Sequence, residues 1–265
     1  MTPKPRHIPV MKGIKSLSLA EVINEPSKKA EKQYIFETTS PNFNKLLNGG
    51  FLSGKTYLVF GANSTGKTQL CHYLCLESYK NEGTTIFVDT ENTFRPERIK
   101  ELSLNNGLKP KEVLKSVMVA NVMSNETLLM NLSETQERIV KDKVKLLVID
   151  SLNNYFRIDL GNNDLSFFST RNKFLKILKK ISELTDTFQL VTILTAQVSP
   201  RFIKNLSITE KPVGVQYLTH YFSEFIYLSL DDDGKTHAHV VNSNYLPERK
   251  VIYVITEVGI EDYSF

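Results

Sequence analysis

The chain has 265 residues, of which 41% are hydrophobic, and a formal net charge of +4 at pH 7. This length accommodates one large α/β domain with a short extension, and no apolar run is long enough to span a bilayer. The N-terminus is basic and lacks the apolar stretch of a secretory signal, so we expect an intracellular protein without membrane contacts. The positive charge permits a polyanionic partner such as nucleic acid but does not require one.

Residues 1–35 show weak patterning and predict an arm or linker with one short helix at 18–23. From residue 36 to residue 265 we expect a single domain. The predicted strands cover residues 56–60, 85–89, 117–120, 145–150 and 190–195. Helices are predicted from Lys67 to about Lys80 and around the helically spaced residues Phe174, Ile177, Leu178, Ile181 and Leu184. This alternation predicts an α/β fold with a mainly parallel central sheet flanked by helices on both faces.

The C-terminal part has a different pattern. Two apolar runs, residues 225–230 and 236–241, flank an Asp-Asp-Asp-Gly turn and predict a β-hairpin, and residues 250–256 predict one more strand.

The chain contains two cysteines, Cys71 and Cys75, which lie four residues apart in a predicted helix. This spacing places both side chains on one helical face, but two ligands are too few for a structural zinc site and the geometry of a disulfide is narrow. We therefore expect two small core-facing residues, with redox or metal chemistry as the less favoured reading.

Residues 61–68 match the pattern Gly-x-x-x-x-Gly-Lys-Thr, directly after an apolar strand and before a helix. Such a loop points successive backbone N–H groups at phosphate oxygens, and the helix N-terminus adds a favourable dipole. The alternative is a chance glycine-rich turn. The residues predicted to contact ATP are Gly61, Ala62, Asn63, Ser64, Thr65, Gly66, Lys67, Thr68 and the following Gln69, with Lys67 on the β- and γ-phosphates and the Thr68 hydroxyl on Mg²⁺.

Three polar residues follow apolar strands at the edge where an open α/β sheet binds ligands. Asp150 is the candidate for holding Mg²⁺ together with Thr68, and its structural alternative is a strand-end cap. Glu91 could polarise the water that attacks the γ-phosphate, and Gln197 suits a phosphate sensor. In isolation these two would be read as a solvated loop acid and an ordinary strand-end amide.

Taken in order, these motifs resemble the RecA family, in particular the branch of archaeal RadA and its eukaryotic counterparts. The resemblance is closest to recombinase paralogues that consist of the ATPase core alone. The segments that carry it are residues 38–47, 66–72, 88–98, 148–151, 211–214 with His220, and 242–247. It implies a RecA-type P-loop ATPase core with ATP and Mg²⁺ as cofactors.

The resemblance also implies individual roles. Glu91 would activate water, Arg98 would lie beside the adenine, and Gln197 would couple the nucleotide state to the loop after it. His220 would sense nucleotide at a subunit interface, where Asn242 and Pro247 would also lie.

In this family two loops bind DNA, and here they correspond to residues 154–167 and 198–213. Their candidate contacts are Phe156, Arg157, Arg171, Arg201, Phe202 and Lys204. Cationic side chains pair with phosphates, and aromatic rings stack on the bases of a single strand. The alternative is a pair of solvated, mobile loops.

The chain also departs from the family pattern. We expect it to lack the separate N-terminal DNA-binding domain of full recombinases and a good copy of their aromatic-x-x-Ala polymerisation element. Asn242 stands where the family has an aspartate that caps the neighbour's nucleotide. Self-filament formation and autonomous strand exchange are therefore in doubt, whereas nucleotide binding is unaffected.

The first hypothesis is an ATPase that binds single-stranded DNA and assists or regulates a RadA-type recombinase or another paralogue in repair. For an archaeal host, a cytoplasmic, nucleoid-associated location follows. The second hypothesis is a nucleotide-dependent protein-interaction module without DNA affinity. A third, a regulatory ATPase of the circadian-clock type, is disfavoured by the segments around residues 94–98 and 211–214.

Overall fold

The computed structural model describes residues 33–162, 164–200, 208 and 210–264. Most of the predicted arm, including the short helix predicted at 18–23, lies outside the described residues. Within them, the strands are β1 (Ile35–Phe36), β2 (Phe51–Leu52), β3 (Lys55–Phe60), β4 (Thr84–Asp89), β5 (Val117–Asn121), β6 (Val144–Asp150), β7 (Val191–Ala196), β8 (Val198–Pro200), β9 (Glu210–Pro212), β10 (Glu224–Leu230), β11 (Thr236–Asn242), β12 (Lys250–Ile255) and β13 (Ile260–Asp262). The helices are α1 (Pro41–Leu46), α2 (Lys67–Lys80), α3 (Pro96–Asn105), α4 (Pro110–Lys115), α5 (Asn125–Lys141), α6 (Asn154–Leu160), α7 (Phe167–Phe188) and α8 (Val215–Tyr221).

The central sheet has nine strands in the order β13-β12-β11-β10-β3-β7-β6-β4-β5. The six strands from β10 to β5 run parallel, and β11, β12 and β13 add antiparallel pairs at one end. The predicted parallel core and C-terminal hairpin are both confirmed.

Helices cover both faces of the sheet, and each face has its own hydrophobic cluster. One cluster contains residues of the four helices α1, α2, α3 and α4 together with strand residues such as Val59 and Val148. The other contains residues of α5, α7 and α8 together with Leu58 and Ile149, which adjoin Val59 and Val148 in the sequence. Successive residues of a strand point to opposite faces of the sheet, and both faces are covered here. The buried strands are therefore continuously apolar. Cys71 and Cys75 are fully buried in the first cluster, as expected of core residues.

The carboxyl ends of β3, β4, β6 and β7 meet at one edge of the sheet. The register pairs Asp89 with Asp150 and Phe60 with Ala196, so the residues that follow these strands are brought together. This edge therefore gathers the phosphate loop and the three polar residues predicted to act with it.

The segment predicted as the first DNA-binding loop is helical over residues 154–160, which form α6. Its anchor is Phe156, which is 0% exposed and stacks on Phe174 with ring centroids 3.9 Å apart. A ring buried in this way has no free face for a base, so the prediction that Phe156 stacks on DNA is wrong. Among the described residues, no helix has the length and apolar character needed to cross a membrane.

Candidate nucleotide-binding site

The phosphate loop turns sharply between β3 and α2. Gly61 has φ 154°, and a methyl group there would lie 1.9 Å from the carbonyl oxygen of Leu228. Gly66 adopts left-handed φ 93° directly before α2. The Thr65 hydroxyl donates to the Ala62 carbonyl over 2.9 Å, which closes the turn. Only glycine fits at Gly61 and Gly66, so the sequence permits the tight loop that the predicted motif requires.

Lys67 lies inside the curve of this loop. Its ammonium donates to the carbonyl oxygens of Gly61 at 2.9 Å and Ala62 at 2.7 Å. Burial lowers the pKa of Lys67, while the nearby carboxylates of Asp150 and Glu91 oppose that shift. The cation is thus held where a phosphate bound in the loop would meet it.

Asp150 and Thr68 form the predicted metal pair. The Thr68 hydroxyl donates to Asp150 Oδ2 over 2.7 Å. Two further hydroxyls, from Thr195 and Thr93, also donate to this carboxylate. Burial raises the pKa of Asp150, and the three hydroxyl bonds oppose that shift. Sequence reasoning missed Thr93 and Thr195, since each reaches Asp150 only through the fold.

A hard oxygen donor set of one hydroxyl and one carboxylate suits Mg²⁺. Among the described residues, no three His, Cys, Asp or Glu side chains converge as a metal cage. The residues present therefore fit a magnesium ion that takes its other ligands from phosphate and water, as Mg²⁺ commonly does.

Glu91 and Gln197, far apart in sequence, are in contact. Gln197 Nε2 donates to Glu91 Oε1 over 2.7 Å, and the Ser151 hydroxyl donates to the same oxygen. The turn that presents Glu91 is shaped by Asp89, which accepts the backbone N–H groups of residues 91, 93 and 94. Ser151 is a site residue that sequence reasoning missed, although its position directly after Asp150 was a usable signal. A pocket of about 580 Å³ opens beside Glu91.

Gln197 is positioned by a buried asparagine, Asn153. The Asn153 side chain accepts the Gln197 N–H over 2.8 Å and donates to the carbonyls of Gln197 and Val213 over 2.9 and 3.0 Å. Gln197 therefore lies at the base of the β8–β9 hairpin, directly before the second predicted DNA loop. The coupling role predicted for it depends on this placement.

Arg98 joins α3 to α2 and to the end of β12. Its Nε donates to Gln69 Oε1 over 2.7 Å, and its guanidinium also contacts the Thr256 carbonyl and Glu101. These contacts bring Arg98 next to the predicted ATP-contacting residue Gln69, while its place beside an adenine stays a prediction.

The predicted DNA and interface residues are dispersed. Arg157 is exposed, and the Arg171 guanidinium lies 5.8 Å from the ring centroid of Tyr217. Arg201, Phe202 and Lys204 lie outside the described residues. His220, Asn242 and Pro247 are all exposed.

Two aromatic rings that sequence reasoning passed over are exposed at the start of α7. Phe167 is 54% and Phe168 70% exposed. Large apolar side chains at the solvent surface in such a pair are a better signal for a contact surface than the buried Phe156.

The Rad51 family model matches residues 29–263. The chain is 31% identical over 233 residues to the DNA repair and recombination protein RadA of Aeropyrum pernix, which covers 85% of this chain and 72% of that protein. It is 31% identical over 245 residues to the meiotic recombination protein DMC1 of Saccharomyces cerevisiae, covering 88% and 73% respectively. The RadA of Metallosphaera sedula is 30% identical over 232 residues, covering 85% and 71%.

Proposed function

The chain belongs to the Rad51 family of RecA-type proteins, and from that premise we propose that it is a Mg²⁺-dependent ATPase that binds single-stranded DNA and assists or regulates a RadA-type recombinase in recombination and repair. The observation that carries the proposal is the contact between Glu91 and Gln197 at the sheet edge that also bears Lys67, Thr68 and Asp150. Phosphate-binding, metal-binding and water-activating groups are thereby gathered in one site.

Each residue has a defined task in this proposal. The backbone N–H groups of residues 61–68 cradle the phosphates, and Lys67 exchanges its carbonyl partners for phosphate oxygens. Thr68 and Asp150 would hold Mg²⁺, which would supply neutralisation of the phosphate charge. Glu91 accepts hydrogen bonds from Ser151 and Gln197 on Oε1, so Oε2 is the oxygen that orients the attacking water. Turnover is expected to be slow in the isolated chain, because family sites are completed across a subunit interface.

DNA binding is assigned to the surface around the start of α7. Phe167 and Phe168 offer exposed rings for base stacking, worth about 1–3 kcal/mol per base. Arg171 follows these rings on α7, and Arg157 precedes them on α6. Both arginines supply cations for phosphates. The second predicted loop would add Arg201, Phe202 and Lys204.

The test is ATP hydrolysis by the purified chain with and without single-stranded DNA, alongside Glu91→Gln. Glu134→Gln, which alters an exposed carboxylate on α5, is the matched control. We expect hydrolysis that DNA stimulates in the wild type and in Glu134→Gln but that is lost in Glu91→Gln, while ATP binding is retained. Wild-type turnover in Glu91→Gln would remove Glu91 from its proposed role.

A second candidate is a nucleotide-dependent protein-interaction module without DNA affinity. It is favoured by the charge of residues 154–168, the segment from α6 to the first residues of α7, where the acidic Asp159 and Asp164 outnumber Arg157. Salt titration of single-strand binding separates the two candidates, because phosphate contacts make affinity fall steeply with salt. Turnover that is indifferent to DNA, with no salt-sensitive binding, would favour the interaction module.

A further inference from the structure

The Lys67 ammonium is surrounded by more negative charge than the proposed ATPase chemistry uses. Burial lowers the pKa of Lys67, and the charges of three carboxylates, Asp150, Glu91 and Glu210, oppose that shift. Asp150 and Glu91 have roles in the proposed function, whereas Glu210 has none. Glu210 is partly buried, and none of the ion pairs found between described residues includes it. A carboxylate whose charge reaches a phosphate-binding cation therefore calls for a separate explanation.

Glu210 is held by the part of the central sheet that leads into the phosphate loop. The Tyr227 hydroxyl donates to Glu210 Oε2 over 3.3 Å. Tyr227 pairs with Phe60 in the parallel register of β10 and β3, and the two rings stack with their centroids 5.2 Å apart. Phe60 directly precedes Gly61, the first residue of the loop. Through Tyr227, the sheet therefore positions the Glu210 carboxylate relative to the loop.

The second anchor of Glu210 is the β8–β9 hairpin. The register of this hairpin pairs Glu210 with Pro200. Its base is closed by the Val213 N–H, which donates to the Gln197 carbonyl over 3.1 Å. The Gln197 side chain in turn donates to Glu91. Glu210 therefore belongs to the side of the site that carries Gln197 and Glu91, where the proposed function needs the water that attacks the γ-phosphate.

The charge of Glu210 acts in opposite senses on Lys67 and on a bound phosphate. A carboxylate that stabilises the ammonium repels the phosphate that this ammonium would bind. ATP is more negatively charged than ADP because of its γ-phosphate. Since Coulomb energy scales with charge, the repulsion is larger for the triphosphate than for the diphosphate. Because both groups are partly buried, water and salt screen this repulsion less than they would at the surface.

We infer that Glu210 is a specificity-determining residue that weakens the binding of ATP relative to ADP, through repulsion between its carboxylate and the γ-phosphate. This inference rests on the proposed function, in which residues 61–68 bind the phosphates of the nucleotide. The consequence is that ADP competes more effectively with ATP for the site than it would without this carboxylate.

The test is calorimetric titration of a non-hydrolysable ATP analogue and of ADP, each with Mg²⁺, into the wild type and Glu210→Gln. This substitution removes the charge and keeps the shape of the side chain. We expect affinity for the ATP analogue to rise about fivefold and affinity for ADP to change by less than about twofold. Glu210→Asp keeps the charge, so its ratio of the two affinities should stay within about twofold of the wild-type ratio. Glu134→Gln, on the exposed surface of α5, alters the net charge of the chain by the same amount and is the matched control.

A second readout separates repulsion from a change in packing. The difference between the wild type and Glu210→Gln in the ratio of the two affinities should narrow as salt is raised, because salt screens the repulsion. A change in packing around Tyr227 would alter both affinities alike and would not depend on salt. Thermal unfolding of Glu210→Gln at the wild-type temperature verifies that the fold is retained.

Three outcomes decide the matter. Tighter binding of the ATP analogue in Glu210→Gln alone, narrowing with salt, supports the inference. An unchanged ratio of affinities in Glu210→Gln, or weaker binding of the ATP analogue, overturns the inference and leaves the proposed nucleotide site intact. A wild-type chain that binds neither nucleotide overturns the proposed function and the inference together.

Discussion

Removing the ring of Phe156 on α6 should lower the stability of the protein, whereas removing the ring of Phe168 on α7 should lower its affinity for DNA. Phe156 is fully buried, stacks on Phe174 at an interplanar angle of 10°, and meets the Tyr217 ring edge-on at 6.0 Å. Phe156→Ala leaves a cavity and is expected to cost about 3–5 kcal/mol of unfolding free energy. At about 2–4 °C per kcal/mol for a chain of this size, Tm should fall by about 6–20 °C.

Phe168→Ala is the counterpart, since its ring is 70% exposed. Surface substitutions of this kind change stability by about 0.5 kcal/mol or less. Tm should therefore stay near the wild-type value, whereas affinity for single-stranded DNA should fall by about five- to tenfold, corresponding to about 1 kcal/mol or more of lost stacking. Thermal unfolding by circular dichroism and DNA binding by fluorescence anisotropy give the two readouts. A Phe156→Ala protein with unchanged Tm and lost DNA binding would refute this reasoning.

Two other substitutions test parts of the site, and a third tests His72, which is buried in α2. Ser151→Ala removes a donor to Glu91 and should lower kcat about tenfold with little change in the KM for ATP, measured by steady-state kinetics; an unchanged kcat would show that this donor does not orient Glu91. Gly61→Ala places a methyl group 1.9 Å from the Leu228 carbonyl and should abolish nucleotide binding by calorimetry, and retained affinity would contradict the described loop. Burial lowers the pKa of His72 to about 4, so the unfolded chain binds the proton first as pH falls. Stability from this group is present above the unfolded pKa near 6.5, and about 2.5 kcal/mol of it is lost by pH 4.5. Urea unfolding at pH 7 and 4.5 should show a smaller pH effect in His72→Asn than in the wild type.

The phosphate loop and Asp150 could be predicted from sequence because their signals are local. A strand that ends in glycine, a motif of eight residues and a helix after it define the loop without knowledge of distant contacts. Asp150 ends an apolar run, and the carboxyl edge of a parallel sheet is where ligands bind. The structure places both at that edge, with Thr68 bonded to Asp150.

Long-range contacts could not be predicted in the same way. The sequence pattern predicts a loop at Phe156 because seven helical residues are too few to show clear periodicity, and the burial of its ring depends on Phe174 on another helix. Asn153 and Thr195 act on Gln197 and Asp150 across separations of more than forty residues. The hydrogen bond from Ser243 to Glu224 depends on the antiparallel pairing of β10 with β11, which sequence patterning predicts only as a hairpin.

The measurement that tests the proposed ATPase site most directly is calorimetric titration of ATP into the chain, with Mg²⁺ and after chelation. Lys67→Ala is the test variant, and Lys80→Ala, at the far end of the same helix, is the matched control. We expect Mg²⁺-ATP binding in the wild type and in Lys80→Ala, weakening of about tenfold or more on chelation, and loss of binding in Lys67→Ala. Absence of binding in the wild type, or undiminished affinity in Lys67→Ala, would contradict the site described for residues 61–68 and Asp150.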